Sequence, residues 1–564
     1  MIHPIAQISC WIEDSSEEYK PPEGFYVNKL QGGQGEKASR RNTKLFLDLP
    51  LLPGRAINVG RDHHVNDISI NHPNVSRKHF VIYSVIYDQN DVQKQPYLVY
   101  VRDCQSLEGT YVNETCIGNK EKGAAHGFYI SRDVEVTVKP YWKFRISLLY
   151  HTELKCPLNS IQLKESTLFR HRYIITERIL GRGAFAKIHL AVDARTGKQL
   201  ACKIHDLDRL RRLAPSHDLI RRIRDETDIL GKLKHPNLPI FEYAFHSAHT
   251  FYTFIELATG GDLFSMRLTR GTFEEQDCKF VIRQVVNAIC YLHKGGIAHR
   301  DLKPENIFFA TGPDLTGRVI VGDLGFAKST ASGRMASRVG TDQYMAPEVE
   351  YGETHGLAVD IWSLGMIVVF LLGPDENAVP SSVMKSNQAA ITGWLDSIFE
   401  DPSQQGISNS CQQFIRSCLM FEPRRRLEAS EAKHHSWFQQ QPDKQQFKFR
   451  MKKNVETWKP AHTIAPPIQE LPDMEQIYGT VHKGEQDRMS CLSTSSTNLG
   501  KRTSIDTTPD GSDPQESPHF TFPRPLKPKR LKMTGLGAKI PRSAPPMISN
   551  IYVASSEQTQ VKSS

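Results

Sequence analysis

Short apolar runs separated by turn residues characterise the chain between residues 44 and 151. Within many of these runs apolar and polar residues alternate, which is the pattern of β-strands with one face in a core. The runs lie at residues 45–49, 57–59, 80–87, 98–101, 134–138 and 144–150. We therefore predict that residues 44–151 form an antiparallel all-β sandwich.

Between residues 173 and 438 the apolar pattern mixes strand-like and helix-like periods. Residues 251–257 are apolar and suit a buried strand, whereas residues 273–293 place apolar side chains at helical spacing. A basic stretch at residues 207–234 also favours a helix. Residues 361–373 are apolar but too few to span a bilayer, so we predict a buried helix there. Residues 173–438 are therefore predicted to form one mixed α and β domain.

The remaining segments have few apolar residues and many chain-breaking ones. We predict that residues 1–43 and 439–564 are disordered and that residues 152–172 form a linker. The N-terminal end is too polar for a signal peptide. A basic cluster at residues 527–532 suits a nuclear-import signal, a nucleic-acid patch or a solubilising run.

Composition narrows the function classes. A hydrophobic fraction of 39% and a charged fraction of 24% are typical of a soluble globular protein. The 10 cysteines lack metal-ligand spacing and paired rhythm, which indicates reduced thiols in a cytosolic or nuclear protein. The net charge is +9, but no aromatic residues interleave the basic cluster. We therefore expect no direct nucleic-acid binding, no membrane association, and a nuclear location, with or without a cytoplasmic pool.

The most informative stretch is HRDLKPEN, which begins at His299, followed by DLG from Asp323. Phosphoryl transfer requires positioning, metal ions and charges aimed at the moving phosphoryl group. Asp301 is suited to orient an attacking hydroxyl and accept its proton, and Lys303 to neutralise charge on the phosphate. Asn306 and Asp323 offer the hard oxygen ligands that Mg²⁺ prefers.

Together with APE at residues 346–348, these motifs resemble the catalytic loop, metal-binding turn and activation-segment end of eukaryotic protein kinases. The position of Lys303, two residues after the base, resembles the serine/threonine class. The resemblance implies a bilobal α+β kinase domain at residues 173–438 that uses ATP and Mg²⁺. It also implies that Lys203 holds the ATP phosphates and pairs with Glu226.

Other kinase positions follow from the same resemblance. Gly181 and Gly183 match the glycine-rich loop over the ATP phosphates. The main chain from Glu256 to Ala258 matches the segment that bonds adenine. Ser337 lies in the activation segment, where related kinases are phosphorylated.

Three further observations leave alternatives open. Asp225 is the fallback partner of Lys203, although it would face away on a helix. Ala186 replaces the third glycine of the loop, and Leu324 replaces the usual phenylalanine. These two departures are the support for a competing interpretation, in which the chain is a phosphothreonine-binding scaffold with an inactive kinase-like domain.

Three short motifs inside the predicted sandwich are GR at residues 60–61, SRKHF at residues 76–80 and GTYVN at residues 109–113. Arg61 and Ser76 at loop tips can hold a phosphate by charge-assisted hydrogen bonds. Spaced in this way, the motifs resemble the forkhead-associated (FHA) domain, a phosphothreonine-binding sandwich.

The FHA resemblance extends to neighbouring residues. It implies that Arg77 or Lys78 adds a second cation for the phosphopeptide. It also implies that Thr110 and Asn113 support the loops and contact the peptide backbone. Glu108 stands where the family usually has an asparagine, and a carboxylate there would repel a phosphate.

An FHA domain followed by one kinase domain resembles the DNA-damage and meiotic checkpoint effector kinases. The resemblance implies a serine/threonine kinase recruited to phosphothreonine on a separate adaptor protein. Asp262 and Glu305 lie on the peptide-binding side, which implies protein substrates with a nearby arginine. Recruitment would permit transient self-association and trans-phosphorylation. Docking on an N-terminal threonine of a second copy is disfavoured, because no threonine precedes Thr43.

Overall fold

The computed structural model describes the chain in segments, and all structural statements below concern them. They are residues 3–12, 25–27, 47–85, 97–121, 126–140, 142–149, 158–182, 185–213, 218–312, 315, 317–325, 328–329, 343–351, 356–373, 387–400, 406–439, 444–456, 458 and 466–474. In these segments no helix has both the length and the apolar character that crossing a membrane requires.

The N-terminal domain is a sandwich of two six-stranded sheets, as the alternating pattern predicted. One sheet has the order β3-β1-β12-β11-β8-β9 and the other β10-β7-β6-β4-β5-β2. The strands are β1 (Ala6–Ile12), β2 (Phe25–Val27), β3 (Leu47–Leu51), β4 (Ala56–Gly60), β5 (Ile68–Ile70), β6 (Phe80–Val85), β7 (Leu98–Asp103), β8 (Thr110–Val112), β9 (Thr115–Gly118), β10 (Phe128–Ile130), β11 (Val134–Val138) and β12 (Trp142–Leu148). Side chains from the two facing sheets, such as Phe80 and Phe144 in edge-to-face contact, form its core.

The prediction that residues 1–43 are disordered is wrong for residues 6–12, which form strand β1. It lies between β3 and β12 and is antiparallel to both. Ile8 and Cys10 are buried in the sandwich core. The alternation that produces this burial spans only a few residues. Its significance depends on partner strands that are distant in the sequence, so local composition did not indicate it.

The small lobe of the second domain is a twisted antiparallel sheet with two helices. Its elements are β13 (Tyr173–Arg182), β14 (Lys187–Asp193), β15 (Gln199–Asp206), α2 (Leu207–Leu213), α3 (Asp218–Lys232), β16 (Phe241–His246) and β17 (Thr250–Glu256), preceded by α1 (Ser160–Phe169). The order of the five strands is β13-β14-β15-β17-β16. Sheet and α3 together position the residues expected to hold the ATP phosphates.

Helix α1 lies within the predicted linker, residues 152–172, and is part of the small lobe. It begins at a capping box in which Asn159 and Gln162 exchange hydrogen bonds of 2.8 and 3.1 Å. At its other end Phe169 stacks on Phe245 of the sheet, with ring centroids 4.4 Å apart. The helix therefore covers the outer face of this sheet, which would otherwise expose aromatic side chains.

The large lobe is mainly helical. Its elements are α4 (Leu263–Arg270), α5 (Glu275–Lys294), β18 (Ile297–Ala298), β19 (Ile307–Phe309), β20 (Val319–Val321), β21 (Lys328–Ser329), α6 (Pro347–Glu350), α7 (Ala358–Leu372), α8 (Gln388–Phe399), α9 (Asn409–Cys418) and α10 (Ala429–His434). Glu348 and Arg426 form a buried bidentate ion pair of 2.6 and 2.7 Å that fastens α6 to the end of the lobe. The predicted α+β architecture is confirmed.

The prediction of a disordered tail from residue 439 is wrong for two segments after the large lobe. Helix α11 (Lys444–Glu456) follows the lobe, and β22 (Gln469–Glu470) then joins the small-lobe sheet parallel to β16. The Tyr243 hydroxyl donates to Gln469 Oε1 at 3.0 Å, and Leu471 is buried among the aromatic residues under α1. Residues 475–564, including the basic cluster, lie outside the described residues.

Replacement of Leu471 by alanine should destabilise the small lobe by about 2–5 kcal/mol, because it leaves a cavity among closely packed aromatic rings. Thermal unfolding of the full chain measures the effect. Phe449→Ala is the matched control, since that side chain in α11 is 67% exposed. Equal stability losses in the two variants would contradict the assignment of Leu471 to the core.

Candidate active site and phosphate-binding loops

The loop after β18 brings three of the predicted catalytic side chains together. Lys303 Nζ donates to Asp301 Oδ1 at 2.8 Å. Asn306 Nδ2 donates to the Asp301 carbonyl oxygen at 2.6 Å and to Oδ2 at 2.9 Å. The carboxylate of Asp301 is therefore held in one orientation and can accept a proton from a hydroxyl that approaches it.

Asp360 of α7 fixes the backbone of this loop. Its carboxylate accepts the backbone N–H groups of His299 and Arg300 at 2.8 and 2.9 Å, and the His293 Nε2–H at 2.8 Å. Burial by itself raises the pKa of Asp360, but the His293 hydrogen bond and these neighbouring charges and N–H groups outweigh it and lower the pKa below its usual range. The buried carboxylate therefore stays ionised, and it secures Arg300 at a φ of 66°.

The imidazole of His299 is fully buried. Its Nδ1 accepts the Asp301 N–H at 3.3 Å, and its Nε2 lies 3.2 Å from the Gly322 carbonyl oxygen. His299 therefore packs the catalytic loop against the strand that precedes Asp323 and is not a candidate base.

Lys203 of β15 is bonded to two carboxylates. Its Nζ lies 2.6 Å from Glu226 Oε1 in α3 and 3.5 Å from Asp323 Oδ1. Burial alone lowers the pKa of Lys203, but the charges of Glu226 and Asp323 outweigh it and raise the pKa above its usual range. The ammonium group is therefore charged and placed to meet the phosphates. Asp225 is exposed on the other side of α3, so the fallback pairing is excluded.

Asn306 and Asp323 are the two side chains predicted to hold the metal ion. Within the described residues, Asn306 Oδ1 is buried and accepts no hydrogen bond, although the amide nitrogen of the same side chain donates two. The Asp323 side chain is 42% exposed. The backbone of Asp323 has a φ of 64°, outside the range of regular helices and strands. A hard cation with phosphate and water as its other ligands fits these two oxygens.

The predicted adenine-binding segment, residues 256–258, begins at the last residue of β17. The main-chain N–H of Glu256 donates to the Ile240 carbonyl at 2.9 Å. Its carboxylate is buried against Arg318 and accepts the Ile240 N–H at 2.8 Å. Burial by itself raises the pKa of Glu256, but Arg318 outweighs it and lowers the pKa, so the pair is ionic. We did not predict Arg318, because a basic residue before a strand carries no local signal.

The remaining predicted kinase residues fall into two groups. Ala258 is fully buried beside the segment just described, and Leu324 is 2% exposed within the main core, as an apolar replacement of phenylalanine requires. Gly181 lies near the end of β13, which runs to Arg182, whereas Gly183 and Ser337 lie outside the described residues.

Asp262, which we predicted on the peptide-binding side, makes a structural contact that the sequence did not predict. Its carboxylate caps α4, with Oδ1 accepting the Ser265 N–H at 2.7 Å. The Ser265 hydroxyl also donates to Oδ2 at 3.1 Å. The side chain is buried, so its identified role is structural.

In the sandwich, the predicted phosphate-binding loops meet at one end. The Arg61 N–H donates to the Ser76 carbonyl at 2.8 Å, and the Ser76 hydroxyl accepts the Leu107 N–H at 3.0 Å. Arg61 is exposed beside Ser76. Arg77 is also exposed, but its guanidinium bonds Asp62 at 2.8 Å. The predicted phosphate-binding residues Arg61 and Ser76 are therefore brought together, and Arg77 would have to leave Asp62 to join them.

The prediction for Thr110 needs a correction. We predicted that it supports the loops and contacts the phosphopeptide, but its side chain is fully buried and its hydroxyl donates to Asp103 Oδ2 at 2.7 Å. His79 is also buried, between the Ser76 N–H and the Gly109 carbonyl. Both residues support the loops from inside the sandwich.

Two family comparisons agree with this geometry. A family model described as "Protein kinase domain" matches residues 174–438, and one described as "FHA domain" matches residues 57–130. Together they define the class, a protein kinase with an FHA domain, and a protein kinase domain implies ATP binding.

Similar proteins narrow the class. The meiosis-specific serine/threonine-protein kinase mek1 of Schizosaccharomyces pombe is 32% identical over 70% of this chain and 86% of its own length. The probable serine/threonine-protein kinase fhkC of Dictyostelium discoideum is 30% identical over 69% and 62%. The crystal structure of Rad53 1–466 in complex with AMP-PNP is 22% identical over 77% of this chain and 100% of its own, with a TM-score of 0.38. The family models and the S. pombe relative show that the chain belongs to the FHA-domain serine/threonine protein kinases.

Replacement of Glu226 by glutamine should lower kcat/KM about 10- to 100-fold, because a hydrogen bond between charged groups positions Lys203. Steady-state phosphorylation of a serine peptide measures the loss. Asp225→Asn is the control on the adjacent residue, and it should retain the wild-type value. A larger loss in Asp225→Asn than in Glu226→Gln would mean that the pairing of Lys203 is assigned to the wrong residue.

Proposed function

We propose that this serine/threonine kinase is recruited by binding of its FHA domain to phosphothreonine on a separate adaptor protein, in DNA-damage or meiotic recombination checkpoint signalling. The observation that supports it is the combination of two sites in one chain. Arg61, which is exposed, and Ser76 lie together at one end of the sandwich, and the side chains predicted for catalysis lie close together in the other domain. The S. pombe relative is named a meiosis-specific kinase, which favours the meiotic branch.

In the proposed reaction, the γ-phosphoryl group of ATP passes to a serine or threonine hydroxyl. Asp301 orients that hydroxyl and accepts its proton, and Lys303 neutralises charge on the phosphoryl group. Lys203, fixed by Glu226, holds the ATP phosphates. Mg²⁺ bound at Asn306 and Asp323 would supply electrostatic stabilisation of the phosphate oxygens.

Recruitment would raise the local concentration of kinase molecules, so that one copy phosphorylates the activation segment of another during transient self-association. Ser337 is the proposed site of that phosphorylation. A phosphate there carries up to two negative charges and would pair with a cation such as Arg300, which would order the segment.

We further propose a nuclear location, with or without a cytoplasmic pool, and no direct contact with membrane or nucleic acid. The support is the basic cluster at residues 527–532, which lacks interleaved aromatic residues. Partners are therefore proteins: the phosphothreonine adaptor and the serine/threonine substrates.

The substrate groove favours substrates with a nearby arginine. Glu305 follows the catalytic lysine by two residues, and its Oε2 is buried and has no hydrogen-bond partner in the part of the chain that the structure describes. A buried carboxylate oxygen is costly unless it is paired, and an arginine of the substrate would provide the missing donor.

Glu305→Gln should therefore reduce the preference for an arginine-containing peptide over its alanine counterpart by roughly tenfold, because one charge-assisted hydrogen bond is lost. The ratio of kcat/KM values for the two peptides measures this. Activity on the alanine peptide is the internal control. An unchanged ratio would assign arginine recognition to other residues.

Replacement of Arg61 by alanine should weaken binding of a phosphothreonine peptide about 10- to 100-fold, since a charge-assisted contact to phosphate is removed. Titration of the full chain with the phosphorylated and unphosphorylated peptides measures it, and recruitment of the same variant in cells tests the consequence. Arg145→Ala, an exposed residue of β12, is the control. Unaltered recruitment and activation in Arg61→Ala cells would disprove the recruitment proposal.

A further inference from the structure

The FHA strands β6 and β7 are buried on both faces. Phe80 and Ile82 of β6 point into the sandwich core, as expected. The alternate residues Val81 and Tyr83 are equally buried, at 1% exposed each, and belong to the core cluster of the kinase domain. An antiparallel sheet usually has one face in water. The outer face of this sheet is instead covered by another part of the molecule.

The segment that follows β17 in the kinase domain packs on this outer face. Thr259 lies one residue beyond Ala258, at the end of the predicted adenine-binding segment. Its hydroxyl accepts the N–H of Gly127, in the FHA domain, at 3.0 Å. The hydroxyl of Tyr83 donates to the Thr259 carbonyl at 3.4 Å. Thr259 also donates to the Ala310 carbonyl, directly after β19, at 3.1 Å. Thr259 belongs to the segment that joins the two lobes, residues 256–259, which we call the hinge. It therefore links the FHA domain to the hinge and to the end of β19.

A second contact comes from Thr311, at the start of the turn between β19 and β20. Arg102 of β7 donates to the Thr311 hydroxyl at 3.3 Å. Arg318, on the other side of this turn, is the buried partner of Glu256. The FHA sheet therefore contacts the kinase domain close in sequence to the residue that pairs with the predicted adenine-binding segment.

The fit at this contact is close. A Cβ atom added to Gly312, in the turn, would lie 2.7 Å from the Tyr83 ring. A Cβ atom added to Gly127 would lie 2.2 Å from the Tyr83 hydroxyl. Real side chains essentially never approach so closely, so both glycines are required by the docked arrangement. Arg178 of β13 adds a cation–π contact, with its guanidinium 5.1 Å from the Tyr129 ring centroid.

We propose that the outer face of the FHA sheet is a docking surface for the kinase hinge, and that this docking holds the hinge in the geometry that binds the nucleotide. The FHA domain then has a second role, independent of phosphothreonine binding. Coupling of this kind is reciprocal, so bound nucleotide should also stabilise the FHA contact. The proposal rests on the kinase class of the chain and not on the proposed recruitment.

The test is a double-mutant cycle in the full chain, with ADP and Mg²⁺ as the probe and calorimetric titration as the measurement. Gly312→Ala places a methyl group against Tyr83 and should weaken ADP binding by roughly threefold or more. Tyr83→Ala removes the docked ring and should weaken it similarly. In the double variant, Gly312→Ala should add little, because the collision with the Tyr83 ring is gone and only a 3.3 Å contact with Gly260 Cα remains. Gly356→Ala is the control, since a Cβ atom there meets nothing within 4 Å.

A second measurement reports from the FHA side. The Gly127 amide, which donates to Thr259, should exchange its hydrogen more slowly when ADP is added to the wild-type chain. The slowing should vanish in Tyr83→Ala. ADP affinities equal to the control in both single variants, or additive losses in the double variant with no ADP effect at Gly127, would overturn the proposal.

Discussion

The buried carboxylate of Asp360 is the constraint on which the catalytic loop depends. It accepts two consecutive backbone N–H groups and one imidazole N–H, and together these keep it charged inside the large lobe. The turn that it holds includes Arg300 at a φ of 66°, a conformation that a non-glycine residue does not keep without support. Asp301 follows directly, so the position of the predicted base is set by a fully buried residue of α7.

The same principle, a charged group held by polar or oppositely charged partners, recurs across the predicted nucleotide site. Glu226 and Asp323 keep Lys203 charged, and Arg318 keeps Glu256 charged. Each pair joins elements from different parts of the chain, so the site forms only when both lobes are assembled. The contact of the FHA sheet with Thr259 and Thr311 extends this assembly to the N-terminal domain.

Local motifs allowed much of the catalytic site to be predicted. Asp301, Lys303 and Asn306 lie within one short loop, so their proximity follows from their spacing in the sequence, and the structure brings them within hydrogen-bonding distance. Roles that depend on burial were harder to predict. Thr110 and Asp262 carry polar side chains of suitable type near the expected sites, yet each is turned inward to bond a neighbouring group. A sequence motif does not show which way a side chain points.

The sequence by itself determined the two domains, their order, the strand and helix periods, and the chemistry of the catalytic loop, because these depend on neighbouring residues. Only the tertiary structure decided where β1, α1 and β22 pack and why β6 and β7 are apolar on both faces. Strand pairing and docking join residues that are distant in the sequence. Their stabilisation comes from area removed from water on both partners, and neither partner's sequence identifies the other.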